Sequence, residues 1–152
     1  MEFSLKSLAI VKNVRTEPID DHWSSIHSTI EVLGENAEEC LRGLESFSHI
    51  EIVFVFHKAK DEQIVLSGHP RGNPNYPSVG IFAQRKKDRP NRLGLSICEI
   101  LKIENRYIYV KGLDAIDGTP ILDIKPVFPQ LLPQGEIRNP EWVASLMEHY
   151  WE

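Results

Sequence analysis

The chain has 152 residues, of which 41% are hydrophobic and 26% are charged. This length suits one domain that buries roughly two-thirds of its unfolded surface, and the composition excludes disorder, a fibre and a disulfide scaffold. Cys40 and Cys98 are the two cysteines, so we expect a reducing, cytoplasmic environment. No apolar run approaches the ~20 residues of a membrane span, and residues 1–6 lack a leader pattern, so we expect no membrane association.

The net charge of -5 argues against a polyanionic partner, but the charge is unevenly distributed. Five basic residues and one acid give residues 85–92 a local charge of +4, so the remainder carries -9. A basic loop on an acidic body can bind phosphates. Charge alone nevertheless favours a solvated loop.

The first half of the chain alternates strand and helix signals. Residues 5–11 are apolar, and residues 26–32 alternate with period two, so both are predicted strands. Asn36 and Glu39 resemble a capping box before apolar residues at helical spacing, which predicts a helix over 37–44 that Gly43 helps to end. Residues 50–56 are β-branched and aromatic, which predicts a central strand covered on both faces.

The second half predicts a meander of short strands. Glycines and prolines predict a long loop over 68–78, followed by a strand at 79–85, a turn at 86–92 and strands at 93–103 and 107–110. A polar turn at 112–120 precedes the last strand, 121–125, and prolines 126, 129 and 133 then predict an extended crossing segment. We therefore expect a mainly β, closed or partly closed antiparallel barrel with a short internal helix, forming one domain over 1–152 with its core at about 5–130.

The last residues predict a helix at about 140–152. Asn139 can cap it, Pro140 suits its first turn, and an apolar face carries Val143, Leu146, Met147 and Tyr150. This face either packs on the protein's own barrel or forms a dimer contact.

Common nucleotide and metal motifs are missing. There is no Rossmann or P-loop glycine pattern, and the spacing of His49, His57 and His69 does not predict a metal site. Cys98 lies inside a strand pattern and is expected in the core. The run 73–76, Asn-Pro-Asn-Tyr, is similar to a loop of adenine-amino methyltransferases but lacks their strand context, which leaves Tyr76 either as a base-stacking residue or as a locally packed aromatic.

Several motifs together resemble the TsaA-like domain of the TrmO family in order and spacing. They are LRGLESFSH at 41–49, VFVFH at 53–57, GIFAQR at 80–85, RPN at 89–91, GLS at 94–96 and DAIDGTPILDIKP at 114–126. The resemblance covers about residues 5–130, and the DxxDGTP run with its DIKP tail is its most specific part.

The resemblance implies a β-barrel homodimer that binds S-adenosylmethionine near the subunit interface. It implies N6-methylation of the threonylcarbamoyl-adenosine beside the tRNA anticodon. Matched by position, the family's cofactor contacts fall on His57, Lys58, Arg85, Leu95, Ala115, Ile116, Asp117 and Gly118, with a further contact near 18–20.

Methyl transfer from a sulfonium requires alignment of donor and acceptor. Arg85 suits the cofactor carboxylate, and Phe82 suits the sulfonium. Asp117 is predicted as the catalytic proton acceptor, although Asp114 and Asp117 could instead cap their turn through side-chain to backbone bonds.

For tRNA, Arg89, Asn91 and Arg92 are predicted to contact phosphates, with Lys86 and Lys87 providing long-range attraction. The sequence departs from the commoner family pattern at Gln84, at 86–88 and at Arg92, where a different substrate preference is expected. The alternative function is a sensor or interaction module that binds S-adenosylmethionine or a nucleoside without turnover.

Overall fold

The computed structural model describes residues 1–152 and contains eight strands and two α-helices. The strands are β1 (Ala9–Lys12), β2 (His27–Val32), β3 (His49–Val55), β4 (Ser67–Gly68), β5 (Val79–Gly80), β6 (Leu93–Glu104), β7 (Tyr107–Lys111) and β8 (Pro120–Pro126), and the helices are α1 (Ala37–Leu41) and α2 (Trp142–Leu146). Six strands form a closed barrel in the order β1-β2-β7-β6-β3-β8, and each neighbouring pair is antiparallel. The predicted mainly β barrel is confirmed.

The barrel interior is filled by side chains that alternate along each strand. Ile30, Ile50, Ile52, Ile108 and Ile121 are fully buried within one core cluster. Burial in β3 alternates with half-exposed neighbours, so the prediction that this strand is covered on both faces is wrong. In a small barrel one face of each strand points inward and fills the core, while the other points outward.

The internal helix is shorter than the sequence predicted. α1 ends at Leu41, Gly43 then adopts a left-handed φ of 89°, and Leu44–Ser46 forms a separate 3-10 turn. The side chain of Asn36 makes no capping hydrogen bond, so the predicted capping box is wrong. Packing of Ala37 and Leu41 against the barrel, rather than a cap, holds the helix in place.

The predicted strand at 79–85 is also wrong beyond its first two residues. Val79 and Gly80 pair with β4, so the predicted loop at 68–78 becomes the end of a two-stranded ribbon. The chain then turns at Ile81–Ala83 in a 3-10 turn. Ile81 and Gln84 are both buried, a spacing of three that suits a turn, whereas residues three apart in a strand point to opposite faces.

The C-terminal helix covers only Trp142–Leu146, and Glu141 rather than Asn139 precedes it. Beyond the helix the chain continues in turns, and the carbonyls of His149 and Tyr150 accept bonds from the backbone N–H groups of His22 and Trp23. Tyr150 packs on the small cluster of Trp23, Ile26 and Ile116, so this segment covers the protein's own barrel. None of the helices has the length and apolar content to cross a membrane.

Candidate functional site

An open cavity of about 1050 Å³ lies where β3 ends and β6 begins. Its walls come from the chain after β3, the loop between β5 and β6, the loop between β7 and β8, residues near 18–23, and the C-terminal segment. Of the predicted cofactor residues it is lined by His57, Lys58, Arg85, Leu95, Ala115 and Ile116, and of the predicted RNA residues by Lys86, Lys87, Arg89 and Asn91. Pro18, Ile19 and Asp20 line it as well, whereas Asp117, Gly118 and Arg92 do not.

The close approach of β3 and β6 gives the cavity its floor. A Cβ atom built on Gly94 would lie 2.4 Å from the ring of Phe54, which is buried and lines the cavity. Only a residue without a side chain leaves that ring in place. The glycine of the GLS motif is therefore required by packing.

His57 follows β3 and faces the turn that carries the second aspartate of the DxxDGTP motif. Its Nε2 atom lies 3.7 Å from the position of a Cβ on Gly118. Burial and the neighbouring charge of Lys58 lower the pKa of His57, against a smaller raising effect of Asp117. The imidazole is thus neutral at neutral pH and can accept a proton.

Lys58 ties a second segment to the site. Its Nζ atom donates to the carbonyl oxygen of Thr16 at 2.6 Å and lies 3.2 Å from the carboxylate of Glu17. These bonds hold the chain that continues into Pro18, Ile19 and Asp20 against the cavity. Lys58 therefore lines the cavity and also holds this part of its wall in place.

Asp114 and Arg85 place opposite charges in the same cavity. The hydroxyl of Tyr150 donates a hydrogen bond to Oδ2 of Asp114, while Oδ1 is buried and has no partner. The guanidinium of Arg85 donates to the carbonyl oxygen of Leu95 at 2.8 Å. Because the two side chains form no ion pair with each other, both keep hydrogen-bonding capacity for a ligand.

The side chain of Asp117 forms a hydrogen bond within the fold. Its Oδ1 accepts a hydrogen bond from the backbone N–H of Asn13 at 3.1 Å, and its own N–H donates to the carbonyl of Arg15. The side-chain amide of Asn13 also donates to the carbonyl of Ala115 at 2.7 Å. The side chain of Asp117 therefore bonds to the segment after β1 and not, as the alternative expected, to the backbone of its own turn.

Most of the basic loop is already paired. Lys87 forms an ion pair with Asp88 at 3.0 Å, Arg89 donates to the carbonyl of Gln84, and Arg92 donates to the carbonyl of Ala59. These bonds neutralise or anchor three of the five basic groups. Lys86 has no such partner and lines the cavity.

Gln84 is a structural residue of this loop. It is only 8% exposed, and its amide nitrogen donates to the carbonyls of Gly68 and Val79, both at 3.0 Å. The departure from the commoner family pattern at this position thus fixes the loop to the β4–β5 ribbon. A larger amide reaches two carbonyls that a small hydroxyl residue would not span.

Residues that the sequence did not single out complete the walls. The guanidinium of Arg71 binds Asp21 with two bonds of 3.0 and 2.9 Å, joining the ribbon loop to the segment before β2. Trp23 also lines the cavity, together with Trp142 and Met147 of the predicted C-terminal helix. No local pattern marks the pair of Arg71 and Asp21, which are 50 positions apart. No group of three or more histidine, cysteine or acidic side chains is placed to bind a metal ion.

Comparison with known proteins identifies the family. The family model described as tRNA-methyltransferase O N-terminal domain matches residues 10–131. The chain belongs to the TrmO family. The match includes the strands of the barrel and the cavity loops and stops before α2, so the C-terminal wall of the cavity lies outside the part that the family model describes.

Individual TrmO-like relatives agree with this assignment. The chain is 44% identical over 91 residues to a tRNA (adenine(37)-N6)-methyltransferase of Mus musculus, covering 60% of this chain and 21% of that protein. It is 36% identical over 132 residues to a probable S-adenosyl-L-methionine-binding protein of Methanothermobacter thermautotrophicus, covering 84% of this chain and 92% of the relative.

A solved structure shares the TrmO fold. The crystal structure of TrmO from Pseudomonas aeruginosa matches with a TM-score of 0.75 and 28% identity, covering 93% of this chain and 63% of that chain. The chain thus spans about a fifth of the mouse relative and about three-fifths of the solved TrmO.

Proposed function

We propose that this chain binds S-adenosylmethionine and transfers its methyl group to N6 of an adenine in tRNA. The finer proposal is that the acceptor is the threonylcarbamoyl-adenosine beside the anticodon. The proposal is carried by one observation. Six of the cofactor positions implied by the family and four residues of the basic loop line the same cavity. These residues come from loops far apart in sequence.

The charges of the cavity suit the proposed cofactor. Its carboxylate pairs favourably with a guanidinium, which Arg85 offers. Its ammonium and hydroxyl groups require acceptors, and the buried Oδ1 of Asp114 is an acceptor without a partner. An unsatisfied buried acceptor is costly in the free protein, and a ligand donor at this position would remove that cost.

S-adenosylmethionine supplies a methyl group already activated for in-line displacement. The task of the protein is therefore to hold donor and acceptor in line. The chain after β3, the DxxDGTP loop and Leu95 form the walls that would do so. A rigid barrel behind these walls limits their movement.

The proton that leaves the exocyclic nitrogen needs an acceptor. The sequence proposed Asp117, but this residue is bonded to Asn13 and does not line the cavity. We therefore propose that His57, which lines the cavity and is neutral at neutral pH, takes the proton, and that the charge of Asp117 supports the resulting imidazolium. In this form His57 is the catalytic residue and Asp117 its electrostatic partner.

This division of roles can be tested by kinetics at saturating cofactor. The variant His57→Gln should lower kcat strongly even when the cofactor is saturating, so that any loss of cofactor affinity does not account for the effect. The variant Asp117→Asn should shift the acidic limb of the pH–rate profile to lower pH, because the imidazolium loses a stabilising charge. If His57→Gln leaves kcat unchanged, His57 is not the proton acceptor. If Asp117→Asn lowers kcat without shifting the pH–rate profile, Asp117 is the proton acceptor, as the sequence predicted.

A homodimer is proposed from the outer face of β6. Leu93, Leu95 and Ile97 point outward in a row and are exposed, and a second, smaller cavity lined by Leu95, Ile97 and Arg85 lies against them. An exposed apolar row on a sheet is a common feature of self-association. Light scattering of wild type and Ile97→Lys tests this: a dimer that becomes a monomer supports the proposal, and a monomeric wild type contradicts it.

The deciding experiment measures labelled-methyl transfer to bulk tRNA and cofactor binding by calorimetry on the same preparation. Wild type should bind S-adenosylmethionine and label tRNA, Arg85→Met should lose cofactor affinity, and the exposed control Arg42→Met should match wild type. Binding without labelling would favour a module that binds the cofactor without turnover. Absence of binding would contradict both functions.

The RNA part of the proposal predicts a salt-dependent interaction. Removing one phosphate contact lowers the salt slope of binding by about one unit. Lys86→Gln should do so because its ammonium is free, whereas Arg42→Gln, which removes the same charge outside the cavity, should not. Equal slopes for the two variants would exclude Lys86 from the RNA contact.

A further inference from the structure

Phe82 is the most exposed aromatic residue of the protein. It lies on the 3-10 turn Ile81–Ala83 at the rim of the large cavity, and 90% of its surface is accessible to solvent. Large aromatic side chains are usually buried because of their apolar area. An aromatic ring displayed so fully beside a cavity points to a partner that covers it.

The display of Phe82 is imposed by its neighbours. Ile81 on one side is 4% exposed, and Gln84 on the other is 8% exposed. The backbone N–H of Gln84 donates to the carbonyl of Ile81, and its own carbonyl accepts a bond from Arg89 at 2.7 Å. The turn is thus fixed at both ends, with Ile81 and Gln84 in the interior and Phe82 directed outward.

The surroundings of Phe82 are basic. Arg85, Lys86 and Arg89 line the same cavity, and Lys86 has no protein partner. An exposed aromatic ring flanked by cationic side chains is the combination with which proteins bind unpaired nucleic acid, because the ring stacks on a base while the cations attract the phosphates.

Resting on the proposed function, we propose that Phe82 stacks on an unpaired base of the substrate RNA next to the acceptor nucleotide. Stacking at the rim would hold the neighbouring base out of the RNA stack while the acceptor enters the cavity. This role differs from the sulfonium contact expected from the sequence, since the ring lies at the rim with 90% of its surface exposed.

The test combines protein variants with modified RNA. Binding of an anticodon stem-loop is measured by fluorescence anisotropy for wild type, Phe82→Ala, Phe82→Leu and Phe82→Trp, with Phe3→Ala as control because Phe3 is 82% exposed and lies outside the cavity. Loss of one stacking contact should weaken binding about 5- to 150-fold in Phe82→Ala. Phe82→Trp should bind like wild type, and Phe82→Leu, which is apolar but has no aromatic face, should bind weakly.

An abasic residue introduced in turn at each position of the RNA loop identifies the stacked base. At the correct position it should weaken wild type but add no further loss in Phe82→Ala, because the two changes remove the same contact. Additive losses at every position would overturn the proposal. So would unchanged RNA binding in Phe82→Ala.

Two other measurements separate the competing roles of this residue. Calorimetry with S-adenosylmethionine and light scattering should give the same cofactor affinity and the same oligomeric state for wild type and Phe82→Ala. A variant that loses cofactor affinity or dissociates, with its RNA affinity otherwise intact, would assign Phe82 to the cofactor site or to a subunit contact instead. If the wild type fails to bind RNA, the proposed function itself is wrong. If the wild type and Phe82→Ala bind and methylate RNA equally well, only the stacking role is wrong.

Discussion

The hydroxyl of Tyr150 donates a hydrogen bond to the carboxylate of Asp114. The bond joins the segment after α2 to the first aspartate of the DxxDGTP motif, and burial and the charge of Asp114 raise the pKa of Tyr150. Tyr150 lies beyond the residues matched by the TrmO family model, so the partner of this motif residue comes from outside the matched part of the chain. The C-terminal segment is therefore part of the site.

The variant Tyr150→Phe should destabilise the protein. It removes the only donor to Asp114, whose other oxygen already lacks a partner, and an unsatisfied buried acceptor costs about 1–3 kcal/mol. The measurement is the free energy of unfolding in urea. Tyr109→Phe is the control, since its ring contacts Lys102 while its hydroxyl has no hydrogen-bond partner in the protein. Equal stability of the two variants would show that the Asp114 bond contributes nothing.

The variant Gly94→Ala should lower stability by about 1–3 kcal/mol, the usual cost of an overpacked core. The added methyl group would lie 2.4 Å from the ring of Phe54, so the ring must move. Gly80→Ala provides the control because its nearest neighbour would be 4.0 Å away. Thermal unfolding compares the two. Equal stability of Gly94→Ala and the control would mean that the ring of Phe54 moves aside at no cost in free energy.

The two cysteines should differ sharply in reactivity. Cys40 is exposed, whereas Cys98 is buried, and burial raises the pKa of its thiol to about 12. The thiolate is the reactive form, so a thiol reagent at pH 8 should modify one group per chain in the native state and two after unfolding. Cys40→Ser should then show no native reaction. Rapid native modification of that variant would reveal opening of the barrel.

Stability should fall as the pH drops below about 6.5, in part because of His57. Burial lowers the pKa of His57 in the folded state, so between its folded pKa and the unfolded value near 6.5 the unfolded chain binds the proton more readily. His57→Gln should reduce this loss of stability, measured by urea unfolding at pH 7.5 and pH 5.

A second histidine provides a control of opposite sign for this pH dependence. Hydrogen bonding to Glu152 raises the pKa of His149. The stabilisation that His149 provides is therefore present below about pH 6.5 and is lost as the pH rises through the pKa of His149 in the folded state. His149→Gln should lower the free energy of unfolding only at acidic pH. If the free energy of unfolding of His57→Gln depends on pH as that of the wild type does, His57 is not a source of the acid sensitivity.

The sequence by itself determined the barrel strands and the family. Alternation at Ile30 and Val32 and the β-branched run around Ile52 predicted strands because side chains on successive strand residues point to opposite faces, a property that local spacing records directly. The same reasoning failed at 79–85, where Ile81 is buried in a turn. Alternating residues show which side chains prefer burial, but not whether a neighbouring strand is available to pair.

Only the tertiary structure decided which polar groups meet. Tyr150 reaches Asp114 across 36 positions and Arg71 reaches Asp21 across 50, contacts that exist because closure of the barrel brings the loops at one end together. It also separated roles that adjacent motif residues appeared to share, placing Asp114 at the cavity and Asp117 against Asn13. Residue type and spacing fix the chemistry a loop can offer, whereas the direction in which each side chain points depends on backbone partners that are distant in sequence.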